Sequence, residues 1–179
     1  MGRPASVKLL GAAAVGAAVA LALGIYGHVH DPSQQLVFTL FFSSTIAMKV
    51  WFGSFAVVFG IVQVTTALWL YGRLPWKPAA WTGSVHRISG RLAFLLSLPV
   101  AYHCLWSLGF QDTDGRVLAH SLLGCVFYGA FVAKVTLVRS KGLPGVALPI
   151  AGGLTFALLV AVWFTSAFWF IGEQGWPSL

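Results

Sequence analysis

Two histidines inside apolar sequence are the residues of this chain most able to do chemistry. His103 and His120 lie in separate nonpolar runs, joined by a polar turn centred near residues 111–112. An ionisable ring in such a segment is costly to bury and usually serves a function. Each lies roughly eight residues from the turn, which at about 1.5 Å per residue places both about 12 Å along their helices. A bis-histidine haem b requires two imidazoles that face each other at one depth on adjacent helices, so this spacing predicts His103 and His120 as its axial ligands.

The residues around this pair favour a haem site. Gly124 follows His120 by one helical turn and leaves room for a flat macrocycle, and Phe127 continues the same face. Arg116 precedes His120 by one turn, and Lys49 is expected at a similar depth, so both are candidates to pair with haem propionates. Each residue also has a simpler interpretation: Gly124 as a helix-packing residue, Phe127 as core, and Arg116 as a snorkelling flank.

A purely structural role is the alternative for the histidine pair. His103 and His120 would then be buried rings that bind no iron and hydrogen-bond to neighbours such as Ser107 or Tyr128. The matched depth of the two rings favours the ligand interpretation. The two cysteines have no metal-binding spacing and indicate core residues.

His86 is a weaker candidate for a second cofactor. It precedes His103 by about 17 residues, which at about 100° per residue places it roughly 100° around the helix from that ligand. No histidine lies at the matching depth of the next helix. We therefore expect one haem, with His86 beside Arg91 near the membrane surface. Arg91 and Lys134 either snorkel to that surface or bind an anion such as a quinol headgroup, a lipid phosphate or a second set of propionates.

Five apolar segments must position these residues. The 179 residues are 58% hydrophobic and only 8% charged, which indicates an integral membrane protein. We expect an all-α bundle of transmembrane helices that forms a single membrane domain over 1–179. Residues 36–46 are expected at the interface, and a cleaved signal peptide is the alternative for the first segment. The predicted helices span about 9–27, 48–71, 86–109, 116–138 and 144–171.

The charge pattern predicts the orientation. A net charge of +7 can indicate a nucleic-acid protein, but here the basic residues flank apolar segments, so we expect no nucleic-acid partner. The acidic residues lie at the opposite ends of those segments. The positive-inside rule therefore predicts a multi-pass protein of the inner (plasma) membrane, with the N-terminus inside and the C-terminus outside. The residues expected inside are Arg3, Lys8, Arg73, Lys77, Arg87, Arg139 and Lys141, and those expected outside are Asp31, Asp112, Asp114, Arg116 and Glu173.

Motifs of other enzyme classes do not occur. The chain has no glycine-rich phosphate loop, no GxSxG elbow and no HExxH zinc motif, and no carboxylate lies within a predicted span. An intramembrane hydrolase would therefore lack its acid–base residue.

The segment HRISGR at residues 86–91, followed by His103 and then by His120 on the next helix, resembles transmembrane b-type cytochromes. It is similar in style to the ascorbate-reducible cytochrome b and ferric-reductase-like families, and to a family of small five-helix membrane proteins of actinobacteria. The resemblance covers the third and fourth helices and implies a haem b electron-transfer protein. The better-known families usually hold two haems with four histidines, whereas this chain has only one matched pair. Since no NAD- or flavin-binding domain is present, a self-contained ferric reductase is not expected.

We therefore expect a membrane electron-transfer protein with one haem b between the third and fourth helices. Two imidazoles would fill both axial positions, so the iron would carry electrons and not bind substrate. An electron-transfer component, as a subunit or partner of a redox complex, is favoured over a self-contained enzyme. The expected partners are membrane lipid and a redox protein or quinone. The alternative is a small non-redox membrane transporter or scaffold whose histidines bind metal or serve packing.

Overall fold

The computed structural model describes residues 4–35 and 38–179, and over these residues it is entirely helical, without a strand. The predicted all-α fold is therefore confirmed. Of the stretch expected at the interface, residues 36 and 37 lie outside the described part of the chain. The helices are α1 (Ala5–Val29), α2 (Thr45–Leu70), α3 (Thr82–Leu108), α4 (Gly115–Val138) and α5 (Ala147–Gln174).

All five helices are long and apolar enough to cross a membrane, as in a multi-pass membrane protein. Large nonpolar side chains such as Leu21, Ile61 and Leu95 remain exposed on their outer faces, where lipid contact satisfies them. Several helices begin earlier than the sequence predicted. α2 starts at Thr45 because the Ser44 hydroxyl accepts a hydrogen bond from the Ala47 amide at 3.1 Å, an N-cap that the predicted start at residue 48 omitted.

The helices form a ring whose order differs from the order in the chain. α1 packs along α4, α4 along α5, α5 against α2, and α2 along α3. The ring closes where Gly27 of α1 meets the end of α3: the Phe110 amide donates to the Gly27 carbonyl at 2.6 Å. Gly109, at a φ of 71°, makes the turn that presents this amide. We call the end at which α1, α3 and α5 begin the basic end, and the end at which α2 and α4 begin the acidic end.

α3 and α4 are consecutive, but their backbones do not pack closely along the described residues. Side chains bridge them in the half nearer the basic end. Phe94 stacks on Phe131 with ring centroids 4.2 Å apart, and the Tyr128 hydroxyl donates to the Ser97 carbonyl at 3.0 Å. In the half nearer the acidic end the helices are separated by a cavity. α3 and α4, which the sequence predicted as adjacent helices, are thus held apart at the depth where it also predicts a cofactor.

Two short π-helical turns lie in the acidic half of the bundle. Cys104–Leu108 ends α3 directly after His103, and Phe164–Phe168 interrupts α5. Pro99 lies one turn before His103, as the sequence indicated, and removes an amide donor from α3. Such turns widen the helix locally and often occur at functional sites.

Candidate functional site

A cavity of about 340 Å³ lies inside the ring, and side chains of all five helices line it. Its volume is within the range of about 300–1,000 Å³ that small-molecule and cofactor sites occupy. The walls are largely nonpolar. The polar side chains cluster toward the acidic end, and no Asp or Glu of the described residues is among them. These polar and cationic members are Lys49, Gln111, Arg116, His120, Ser121, Thr165 and Ser166, and two further polar residues, Ser97 and Tyr128, line the cavity from near the middle of their helices.

His120 of α4 lines the cavity and is held by one hydrogen bond. Its Nδ1 atom lies 3.1 Å from Oγ1 of Thr165 in the π-helical turn of α5. The Thr165 hydroxyl donates its own proton to the carbonyls of Ala161 and Val162, each 3.0 Å away, so its oxygen accepts from His120. All three contacts are satisfied together when the ring proton lies on Nδ1 and the lone pair on Nε2. His120 is thus arranged as a histidine ligand is, with its second nitrogen donating to an oriented acceptor.

Two cations lie with His120 at the acidic end. The Arg116 guanidinium donates from Nη1 to the Thr165 carbonyl at 2.8 Å and lies 3.8 Å above the Trp169 ring. Lys49 of α2 is half-buried and also lines the cavity. No carboxylate lies in the cavity walls, so the cavity offers two positive charges to a ligand.

Gly124 and Phe127 both face the cavity, as predicted. A Cβ added at Gly124 would meet no atom within 4 Å, so the glycine leaves open space beside the histidine. Phe127 is 6% exposed and forms part of the nonpolar wall. The structure therefore brings together five of the predicted residues: Lys49, Arg116, His120, Gly124 and Phe127.

His103 lies beside the cavity and not in its wall. The next residue, Cys104, lines the cavity, but the His103 ring does not. The ring is 3% exposed, and neither Nδ1 nor Nε2 has a hydrogen-bond partner among the described residues. The hydroxyl of Ser107, one turn further, is also buried without a partner. A buried polar group without a partner costs about 1–3 kcal/mol, so this corner of α3 has unused hydrogen-bonding or ligand capacity.

The neighbours suggested for a purely structural pair of histidines are wrong. Tyr128 donates to Ser97 and not to either histidine, Ser107 contacts neither ring nitrogen of His103, and the partner of His120 is Thr165. Thr165 was not predicted as a partner of His120, because helical periodicity relates residues of one helix and gives no link between α5 and α4. The adjacent polar pair of residues 165–166, within an otherwise apolar run, was the available signal.

His86 belongs to a separate polar cluster near the basic end, between α2 and α3. Its Nδ1 lies 2.9 Å from Oγ1 of Thr66. The Gln63 side chain donates to the His86 carbonyl and, at 3.1 Å, to the Ser89 hydroxyl. A Cβ at Gly90 would lie 2.9 Å from Cδ of Gln63, so the glycine makes room for this amide. The HRISGR segment thus joins two helices, and Gln63 and Thr66 are partners that the sequence analysis missed.

Arg91 lies apart from both sites. Its side chain is exposed on α3 and lines no part of the cavity. Lys134 is half-buried on α4 and is likewise absent from the cavity wall. The cavity therefore uses neither of the two cations that the sequence placed near His86.

Three or more potential metal-binding side chains do not converge anywhere within residues 4–35 and 38–179. Within these residues, a metal ion would therefore find single imidazoles and not a site with three or more protein ligands. No curated protein and no solved structure matches the chain. A family model described as a family of unknown function (DUF6529) matches residues 9–178, and the chain therefore belongs to that family.

Proposed function

We propose that this protein is a membrane-bound haem b electron-transfer protein, with the haem in the cavity between α3 and α4. The observation that carries the proposal is His120: an imidazole in the wall of an apolar cavity, with its Nδ1 atom 3.1 Å from Oγ1 of Thr165. In the tautomer that this contact favours, Nε2 is free to bind iron. When bound, the haem supplies a one-electron couple between ferric and ferrous iron. A redox protein or a membrane quinone exchanges that electron.

The residues present suit this group in three respects. The walls are largely nonpolar and Gly124 leaves open space, which would suit a flat macrocycle. Lys49 and Arg116 line the cavity and would supply positive charge to the haem carboxylates. His103 has two buried nitrogens without partners, and we assign it as the second ligand although its ring stands behind the cavity wall.

The position of His103 also favours a second candidate, the non-redox membrane protein whose histidines serve packing. His86 shows that this bundle holds a histidine by hydrogen bonds alone, through Thr66. In that case the cavity would bind an apolar or anionic molecule other than haem.

Absorption spectroscopy separates the two candidates. The full chain, expressed with a haem supply and purified in detergent, should show a Soret band and sharp visible bands on reduction, with one haem per chain. His120→Ala should lose the low-spin spectrum, and His103→Ala should lose it or change it to high spin. His86→Ala is the matched control and should keep it. A colourless wild type under these conditions contradicts the proposal, and a normal spectrum in His103→Ala contradicts the second ligand.

A further inference from the structure

We propose that Thr165 is the positioning residue that sets the tautomer and orientation of His120, and thereby tunes the iron it binds. This inference rests on the proposed function for its redox consequence, but its structural part concerns the chain alone. Thr165 lies on α5, whereas the ligand lies on α4, so the contact joins two helices at the level of the cavity.

The hydrogen bonds fix the direction of the contact. The hydroxyl of Thr165 is anchored by donation to carbonyls one turn back on its own helix, at 3.0 Å. With its proton donated to these carbonyls, the hydroxyl accepts from His120, whose ring proton then lies on Nδ1. A neutral imidazole in this tautomer presents Nε2 as its electron-pair donor, which is the form that an iron ligand requires.

A second contact holds Thr165 from the other side. Arg116 donates to the Thr165 carbonyl at 2.8 Å while its guanidinium lies over Trp169. Arg116 precedes His120 by one turn of α4, so two adjacent side chains of one helix contact the same residue of α5. His120 contacts the Thr165 hydroxyl and Arg116 contacts the Thr165 carbonyl. Together these contacts fix the depth of His120 relative to the π-helical turn.

The expected electronic effect follows from the Nδ1 proton. A hydrogen bond from Nδ1 to an acceptor makes the imidazole a more basic ligand, and a more basic ligand stabilises ferric iron relative to ferrous iron. Loss of the acceptor should therefore raise the midpoint potential. It should also free the ring to adopt the other tautomer, with the proton on Nε2.

The test uses Thr165→Val, which keeps the shape but removes the acceptor, and Thr165→Ser, which restores it. Thr155→Val is the matched control, because Thr155 is buried on the same helix and bonds only to the Ala151 carbonyl at 2.7 Å. Nitrogen-15 NMR of the histidine rings, in full chain produced without haem, reports the tautomer of His120 directly. Potentiometric titration of the haem-loaded protein reports the midpoint potential.

We expect His120 to carry its proton on Nδ1 in wild type, Thr165→Ser and Thr155→Val, and to shift toward Nε2 in Thr165→Val. In the haem-loaded protein only Thr165→Val should raise the potential. An unchanged tautomer and an unchanged potential in Thr165→Val overturn the inference. A protein that never binds haem but shows the tautomer shift overturns the proposed function and leaves the positioning role supported.

Discussion

Gly16 of α1 and Gly129 of α4 meet backbone to backbone. A Cβ added at Gly16 would lie 2.6 Å from the Gly129 carbonyl oxygen, and one added at Gly129 would lie 2.5 Å from the Gly16 carbonyl oxygen. Small residues allow this close approach, which is the main source of helix association in lipid, where the hydrophobic effect does not act between helices. The α1–α4 interface therefore depends on the absence of these two side chains.

The first prediction concerns this interface. Gly16→Ala should lower the free energy of unfolding by about 1–3 kcal/mol, the usual cost of overpacking, because neither backbone can yield without separating the helices. Denaturation in mixed micelles measures the change. Gly11→Ala on the same helix is the control, since its Cβ would meet nothing within 4 Å. Equal stability of the two variants would contradict the contact.

A second prediction concerns the HRISGR segment. Gly90→Ala should displace the Gln63 side chain, break its hydrogen bond to Ser89 and destabilise the α2–α3 pair by about 1–3 kcal/mol. In a Gln63→Ala background, where no amide fills the space, the same glycine substitution should cost much less. This double-mutant cycle, measured by the same denaturation, isolates the contact. Additive effects of the two substitutions would show that Gly90 matters for another reason.

A third prediction tests whether the cavity is the ligand site. Gly124→Leu should fill the open space beside His120 and reduce the haem bound per chain severalfold, with little loss of stability because a Cβ at this position meets no atom within 4 Å and the cavity lies beyond it. Gly153→Leu is the control, since Gly153 is exposed and lines no part of the cavity. Haem content is measured by the pyridine haemochrome absorbance. Full occupancy in Gly124→Leu would exclude this cavity as the site.

A fourth prediction concerns the positive charges at the acidic end. Lys49→Met keeps the length of the side chain but removes its charge. Hydrogen bonds to charged groups contribute about 1.5–3 kcal/mol, so haem dissociation should accelerate about tenfold or more. Transfer of haem to apomyoglobin measures this rate. Lys134→Met removes a half-buried charge near the basic end and should leave the rate unchanged. If both variants release haem equally, Lys49 has no special role.

Hydrophobic runs were sufficient to predict the five helices, because their length and composition are set by the thickness of the bilayer. The register of His120, Gly124 and Phe127 also followed from sequence, since helical periodicity fixes which residues share a face. The ring order did not follow. Contacts such as that of Gly16 with Gly129 depend on how well two helix surfaces fit together. The sequence pattern of one helix does not identify the helix against which it packs.

His103 illustrates the limit of the depth argument. Equal distance from the turn predicts its level along α3 but not the direction of its ring, because that distance carries no information on how the helix is rotated or where the π-helical turn after it begins. The hydrogen-bond partners of the histidine segments could not be predicted from the sequence either. Thr165 and Gln63 are single polar residues in apolar runs, and their roles depend on helices that are distant in the sequence.

The ring order has a consequence for how the chain is made. α1 leaves the ribosome before the other four helices, yet its principal partner, α4, begins only at Gly115. At a synthesis rate of about 5–20 residues per second, the roughly 90 intervening residues take on the order of ten seconds. During that interval the small-residue face around Gly16 is covered only by lipid or by the insertion machinery, while α2 and α3 can already pair as a hairpin. We therefore expect assembly to begin with the α2–α3 pair and α1 to pack into the bundle only after α4 has been made.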